Sequence, residues 1–292
     1  MLKTRRGSAV WLITQPAHAE FSGLMAAHWG NREFATPGYF GPSSDAERLR
    51  REVVLAIAEH DNGWWEWEAD PTLSVEDGLP QGLGEVMRNP VEGMNRWRLG
   101  IARLSERHPY ASLLISDHAY WLYASQFKAN APSELTHHLQ RTRMAYPGEL
   151  QDTAVRFVAE LEHVQQELER RAAEDALWRS ALDPAIRKPH ARLLQTLDAF
   201  SLAVCSSVLA PVEGEARGLG EDHIVFDDVP RRSWDDRVSV EFKPLAGGEI
   251  AVKPFPFREA PLKLSVPVRV VESDRWWREV PVTSKEFTFV RG

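Results

Sequence analysis

Residues 53–65, VVLAIAEHDNGWW, decide how this chain is read. Leu49, Val53, Val54 and Ile57 form an apolar stripe, which predicts a helix. Ser44 and Glu47 make a capping-box pattern at its start. His60 lies one turn beyond Ile57, Asp61 four residues beyond it, and Asn62-Gly63 stops the helix. The pair is thus expected at a helix C-terminus with its side chains turned inward. An imidazole and a carboxylate in a core are costly unless something pairs with them.

Working outward, three more residues share this predicament. His18 follows Pro16, which opens a helix at a position that tolerates proline. It shares a face with Phe21, Met25 and His28. His118 stands among Leu114, Ile115, Trp121 and Leu122. Asp198 is four residues beyond Leu194 in the last helix, where mid-helix aspartate is poor for both propensity and burial. A shared divalent cation resolves all five conflicts. Carboxylate oxygen and neutral imidazole nitrogen suit Zn, Mn, Fe or Co. The expected ligands are His18, His60, Asp61, His118 and Asp198, around one ion with a second conceivable.

The remaining histidines are expected elsewhere. His28 is roughly 15 Å of helix rise from His18 and reads as structural. His137-His138 falls in a polar connector, and His108, His163, His190 and His223 read as surface or capping residues.

Bulk properties narrow the class. The chain has 292 residues, 43% hydrophobic and 26% charged, an ordinary soluble composition. A net charge of −7 disfavours nucleic acid as the main partner. One cysteine, Cys205, gives no internal disulfide and reads as core filler in a reducing cytoplasm. The N-terminal stretch is not a signal peptide, and no run is long enough for a membrane span. Seven of the 11 tryptophans fall in the N-terminal half, where they line a core or a cleft.

The order of the motifs carries a resemblance. His18 in QPAHA, His60-Asp61 in AIAEHDNGW and Asp198 in LQTLDAFSLAVC follow one another as in the HD superfamily of metal-dependent hydrolases. More closely, ITQPAHAEFSGLMAAHWGN, AIAEHDNGWWEW, HPYASLLISDH and KPFPF resemble a bacterial family known only as a domain of unknown function. The HD resemblance implies a helical protein with one or two divalent metals. Most members hydrolyse phosphomonoesters, phosphodiesters or nucleotides, and a minority use two irons and oxygen on polyols or phosphonates. It implies His18, His60, Asp61 and Asp198 around a first metal, Asp61 bridging to a second, and His118 on that second metal or on substrate. The chain departs from the two-metal pattern in lacking another histidine soon after the pair.

The expected fold is mainly α: an HD-type helical bundle over residues 1–211, with a small antiparallel β-sheet over 212–292 packed on it. A short strand is read at 9–14 and helices near 94–107, 110 onward, 149–178 and 189–210. The irregular 64–93 segment is read as a cleft wall. After residue 237 the period becomes two, with Gly247-Gly248 as a turn. The expected function is hydrolysis of a small phosphorylated or nucleotide-like metabolite. Asp61 or Glu59 would relay the proton, and Asn62, Trp64 and Trp65 would line the pocket. The alternatives are a di-iron oxygenase on the same scaffold and a non-enzymatic protein that holds a small ligand in its Trp-rich 62–97 segment. Two chains could pair through the long charged helix or a sheet edge.

Overall fold

The computed structural model describes residues 1–127, 148–272 and 276–292; the connector with His137-His138 lies outside them. The chain opens with a hairpin, β1 (Leu2–Arg6) and β2 (Ala9–Ile13). Helices α1 (Gln15–His28), α2 (Ala46–Ala58), α3 (Trp65–Ala69) and α4 (Leu83–Val86) follow. Then come α5 (Pro90–Leu104), α6 (Pro109–Phe127), α7 (Gly148–Ala172), α8 (Ala176–Ala181) and α9 (Pro184–Cys205). The C-terminal part holds β3 (Ile224–Pro230), β4 (Arg237–Pro244), β5 (Glu249–Lys253), β6 (Leu262–Val271) and β7 (Thr283–Arg291).

The expected fold class needs correction. The strands do not make a small C-terminal appendage on a helical bundle. They form one curled seven-stranded sheet in the order β1-β2-β6-β7-β5-β4-β3. Strand β2 pairs with β6, Val10 opposite Val271, so the sheet takes strands from both ends of the chain. Nor is it purely antiparallel. β7 lies between β6 and β5 and runs parallel to β5, with Ile250 opposite Phe289. Strand β1 (LKTRR) carries little apolar signal and sits at one edge, burying only Leu2 and Thr4. Strand β3, which precedes the alternation that begins at residue 237, forms the other edge.

Helices α1 and α9 lie against this sheet. Phe200 of α9 meets Phe226 and Phe242 with ring centroids 4.5 Å apart in each case. Phe21 of α1 packs edge-on against Phe287 at 5.7 Å. Each such buried ring removes roughly 2–3 kcal/mol worth of apolar surface from water. Helix α9 is buried on every side from Pro189 to Cys205, as a central helix must be. Cys205 is part of that core.

Two local features place the His-Asp pair. Helix α2 is capped by Asp45, whose side chain accepts from the Arg48 N–H, rather than by Ser44. At its other end Glu59 is the C-cap, and His60-Asp61 leads into a short 3-10 turn over Asn62–Trp64. At Gly63 a Cβ atom would stand 1.9 Å from the Arg96 carbonyl oxygen, so only glycine lets this turn rest on α5. Likewise Gly23 lets α1 approach α2, where an added Cβ would meet Ala58 Cβ at 2.4 Å. Among the described residues no helix is long and apolar enough to cross a membrane.

Candidate functional site

The five residues singled out in the sequence meet at one place. His18 comes from α1, His60 and Asp61 from the end of α2, His118 from α6 and Asp198 from α9. All five are buried. Candidate donor atoms of His18, His60 and Asp61 lie within 4.8 Å of one another, and so do those of His60, His118 and Asp198. They form the floor of a cavity of about 110 Å³, room for several waters or part of a small molecule.

Hydrogen bonds orient the imidazoles. Ser201 donates its proton to the carbonyl of Asp198 at 2.9 Å. Its oxygen therefore accepts from Nδ1–H of His18 at 2.7 Å. Ser22, one turn along α1 from His18, supports this pair through a 2.8 Å bond to Ser201. His60 donates from Nδ1 to the carbonyl of Ile57 at 2.8 Å. In both rings Nδ1 is committed to a protein acceptor, and Nε2 is turned toward carboxylate.

The Nε2 contacts form the chemical core of the site. His18 Nε2 is 2.8 Å from Asp61 Oδ2. His60 Nε2 is 3.4 Å from Asp198 Oδ1 and 3.8 Å from Asp61 Oδ2. His118 Nε2 is 3.5 Å from Asp198 Oδ2. A neutral imidazole with its proton on Nδ1 points a lone pair at these oxygens, which repels unless a proton or a cation stands between. Burial pulls the His60 pKa down, but the Asp61 and Asp198 carboxylates outweigh it and push it up to about 9. The same negative field would favour a bound cation. Ligands on an ion with bonds of about 2.1 Å lie roughly 3–4 Å from one another, the spacing of these pairs. The donor set therefore fits a divalent ion.

The other expected site residues are spread around this floor. Trp64 lines the cavity. Asn62 is buried away from it, donating to the Gly100 carbonyl at 3.3 Å and accepting from Arg103. Trp65 is 56% exposed and lies on an outer groove rather than in the cavity. Glu59 does not line the cavity either; its half-buried carboxyl has a pKa raised by burial. His28 sits apart, paired with Glu259. His190, expected at the surface, is fully buried. Its Nε2 accepts from Gly38 N–H at 3.0 Å, and its Nδ1 lies 2.9 Å from the Tyr110 hydroxyl. Burial drives its pKa down to about 3.

Several contributors went unread in the sequence. Gln15 lines the cavity, and its position three residues before His18 is the signal that could have found it. Ser201 stands in the same relation to Asp198. By contrast, Trp97, at the end of the Trp-rich 62–97 segment, lines the cavity and meets His118 edge-on at 5.4 Å, and residues 83–90 of the segment expected as a cleft wall supply one side with Leu83, Val86, Met87, Asn89 and Pro90. Arg96 stacks on Trp64 at 4.2 Å and on Trp67 at 5.0 Å, outside the lining.

Residues 1–273 match the family described as "Protein of unknown function (DUF3891)". The chain belongs to that family. The match spans the opening hairpin, all the helices and the cavity floor, so the site lies wholly within the DUF3891 region. Neither the curated proteins nor the solved structures yield a match to the chain.

Proposed function

We propose that this DUF3891 protein is a metal-dependent hydrolase of a small molecule. One observation carries the reading: His18, His60, Asp61, His118 and Asp198 converge at a cavity floor with imidazole nitrogens turned toward carboxylates. The order of His18, His60-Asp61 and Asp198 along the chain, which resembles that of the HD superfamily, supports it. A single ion is favoured over two. The two donor groups share His60, whose Nδ1 is already committed to Ile57, leaving one nitrogen to give.

When bound, a divalent ion supplies an acidified water and polarises the substrate oxygen. The protein's own residues do the rest. Ser201 and the Ile57 carbonyl hold His18 and His60 in the tautomer that leaves Nε2 free to ligate. Asp61 receives the proton of the attacking water, because it reaches the cavity and Glu59 does not. Trp64, Trp97 and the 83–90 wall limit the entry of bulk water.

The test is elemental analysis of untagged protein, followed by hydrolysis assays with Mn²⁺ or Co²⁺ on a panel of phosphate and carboxylate esters and amides. About one metal per chain, with hydrolysis lost in Asp61→Ala, is expected. Protein that takes up no divalent metal, or full hydrolysis in Asp61→Ala, would reject the proposal.

A further inference from the structure

The lining of the cavity above its floor is mostly apolar. Trp64, Trp97, Leu83, Val86, Met87 and Leu122 form its sides. Among the described residues no lysine or arginine lines it. The cation of Arg96 is spent on the faces of Trp64 and Trp67 outside the lining. Three polar residues break the apolar wall: Gln15, Asn89 and Tyr123. Gln15, only 3% exposed, lines the cavity, and its Oε1 is buried with no hydrogen-bond partner. An incompletely partnered buried amide is costly, and a ligand's polar group that reaches it lowers the cost.

Charge decides the ligand class. The floor holds the carboxylates of Asp61 and Asp198. One divalent ion neutralises them if the imidazoles are neutral. A phosphomonoester would then add two negative charges to a mostly apolar cavity whose described lining offers no lysine or arginine. Burying charge without compensation is strongly unfavourable. An uncharged molecule carries no such cost and gains from apolar contact along the cavity sides.

We propose that the cavity selects an uncharged, ring-sized apolar substrate that hydrogen-bonds to the side-chain amide of Gln15. This deepens the hydrolase reading and rests on it for the charge balance. It assigns Gln15 as a binding residue, one helical turn before His18, so that the recognised polar group sits beside the floor.

Two probes of similar size separate the classes: benzamide, neutral with N–H donors, and phenyl phosphate, with the same ring but two charges. Binding to the metal-loaded protein is read by quenching of tryptophan fluorescence, since Trp64 and Trp97 face the cavity, and by thermal shift. Benzamide is expected to bind at least about tenfold more tightly than phenyl phosphate. Gln15→Leu should weaken benzamide about tenfold, the value of one neutral hydrogen bond, while its metal content stays at the wild-type level. Gln15→Asn, which draws the amide back by one methylene, should weaken it too and stands in if the leucine variant fails to fold. Phenyl phosphate binding as tightly as benzamide, benzamide failing to bind, or unchanged benzamide affinity in the Gln15 variants would each overturn the proposal. Metal content and loss of hydrolysis in Asp61→Ala are read separately. The hydrolase reading can therefore survive the failure of this one, and Gln15-dependent benzamide binding to protein that takes up no metal would sink the hydrolase reading alone.

Discussion

Asp198 Oδ1 stands 3.4 Å from Nε2 of His60, so the last helix of the chain closes on the end of the second. Asp198 also reaches His118, at 3.5 Å through its other oxygen. One carboxylate thereby ties α9 to both α2 and α6. Removing its charge while keeping its shape is the most direct probe of a cation there. Asp198→Asn should lower metal affinity more than about 100-fold, beyond what loss of an outer partner costs. Competition with a chromophoric chelator measures it. Wild-type affinity in the variant would mean that Asp198 ligates nothing.

Ser201 acts on the site through His18. Its hydroxyl accepts the Nδ1 proton and so directs Nε2 to Asp61. Ser201→Ala should leave the fold intact and weaken metal binding by about 10–100-fold, the usual effect of deleting an orienting partner. The same chelator titration reads it. NMR of the His18 ring should show the second tautomer gaining population, which a purely structural serine would not cause.

Gly63 is required by geometry rather than by chemistry. A methyl group there would overlap the Arg96 carbonyl, a backbone atom that cannot swing away. Gly63→Ala should cost about 3 kcal/mol of stability as read by urea denaturation. Metal content should fall with it, because His60 and Asp61 hang from the same turn.

His190 should make the fold sensitive to acid. Its folded pKa is depressed to about 3, while an unfolded imidazole titrates at about 6.5. Between these values the unfolded chain holds a proton that the folded chain refuses. Stability from this residue is therefore complete above about pH 6.5 and is lost as the pH falls toward 3, by about 1.4 kcal/mol per pH unit. Thermal melts across pH 4–7 check it. His190→Gln should flatten the slope over that window, and an unchanged slope would show that other groups dominate.

Periodicity alone makes much of this molecule legible. The stripe ending in Ile57 marked α2, and the leucines around Asp198 marked α9 as a core helix. The conflict between burial and polarity at His18, His60, Asp61, His118 and Asp198 pointed to residues that the fold does gather. The alternation in 238–243 and 262–270 marked β4 and β6 as strands.

Other features had no local signal. An edge strand as polar as LKTRR buries too little to show a pattern, so β1 went unread and with it the joining of both chain ends in one sheet. The insertion of β7 beside β5 depends on side chains meeting across the sheet, and strand spacing does not encode it. Glu59, Trp65 and Asn62 adjoin the His-Asp pair in sequence, yet the turn after α2 points them away from the cavity. Gln15, Leu122 and Leu202 are distant from the pair in sequence, yet they line it. Residue type and helical period determined which groups had to find partners in the core. Only the packing of helices against the sheet decided which of them share a cavity, because that depends on close backbone approaches, such as Gly63 on α5, whose energy comes from the whole fold.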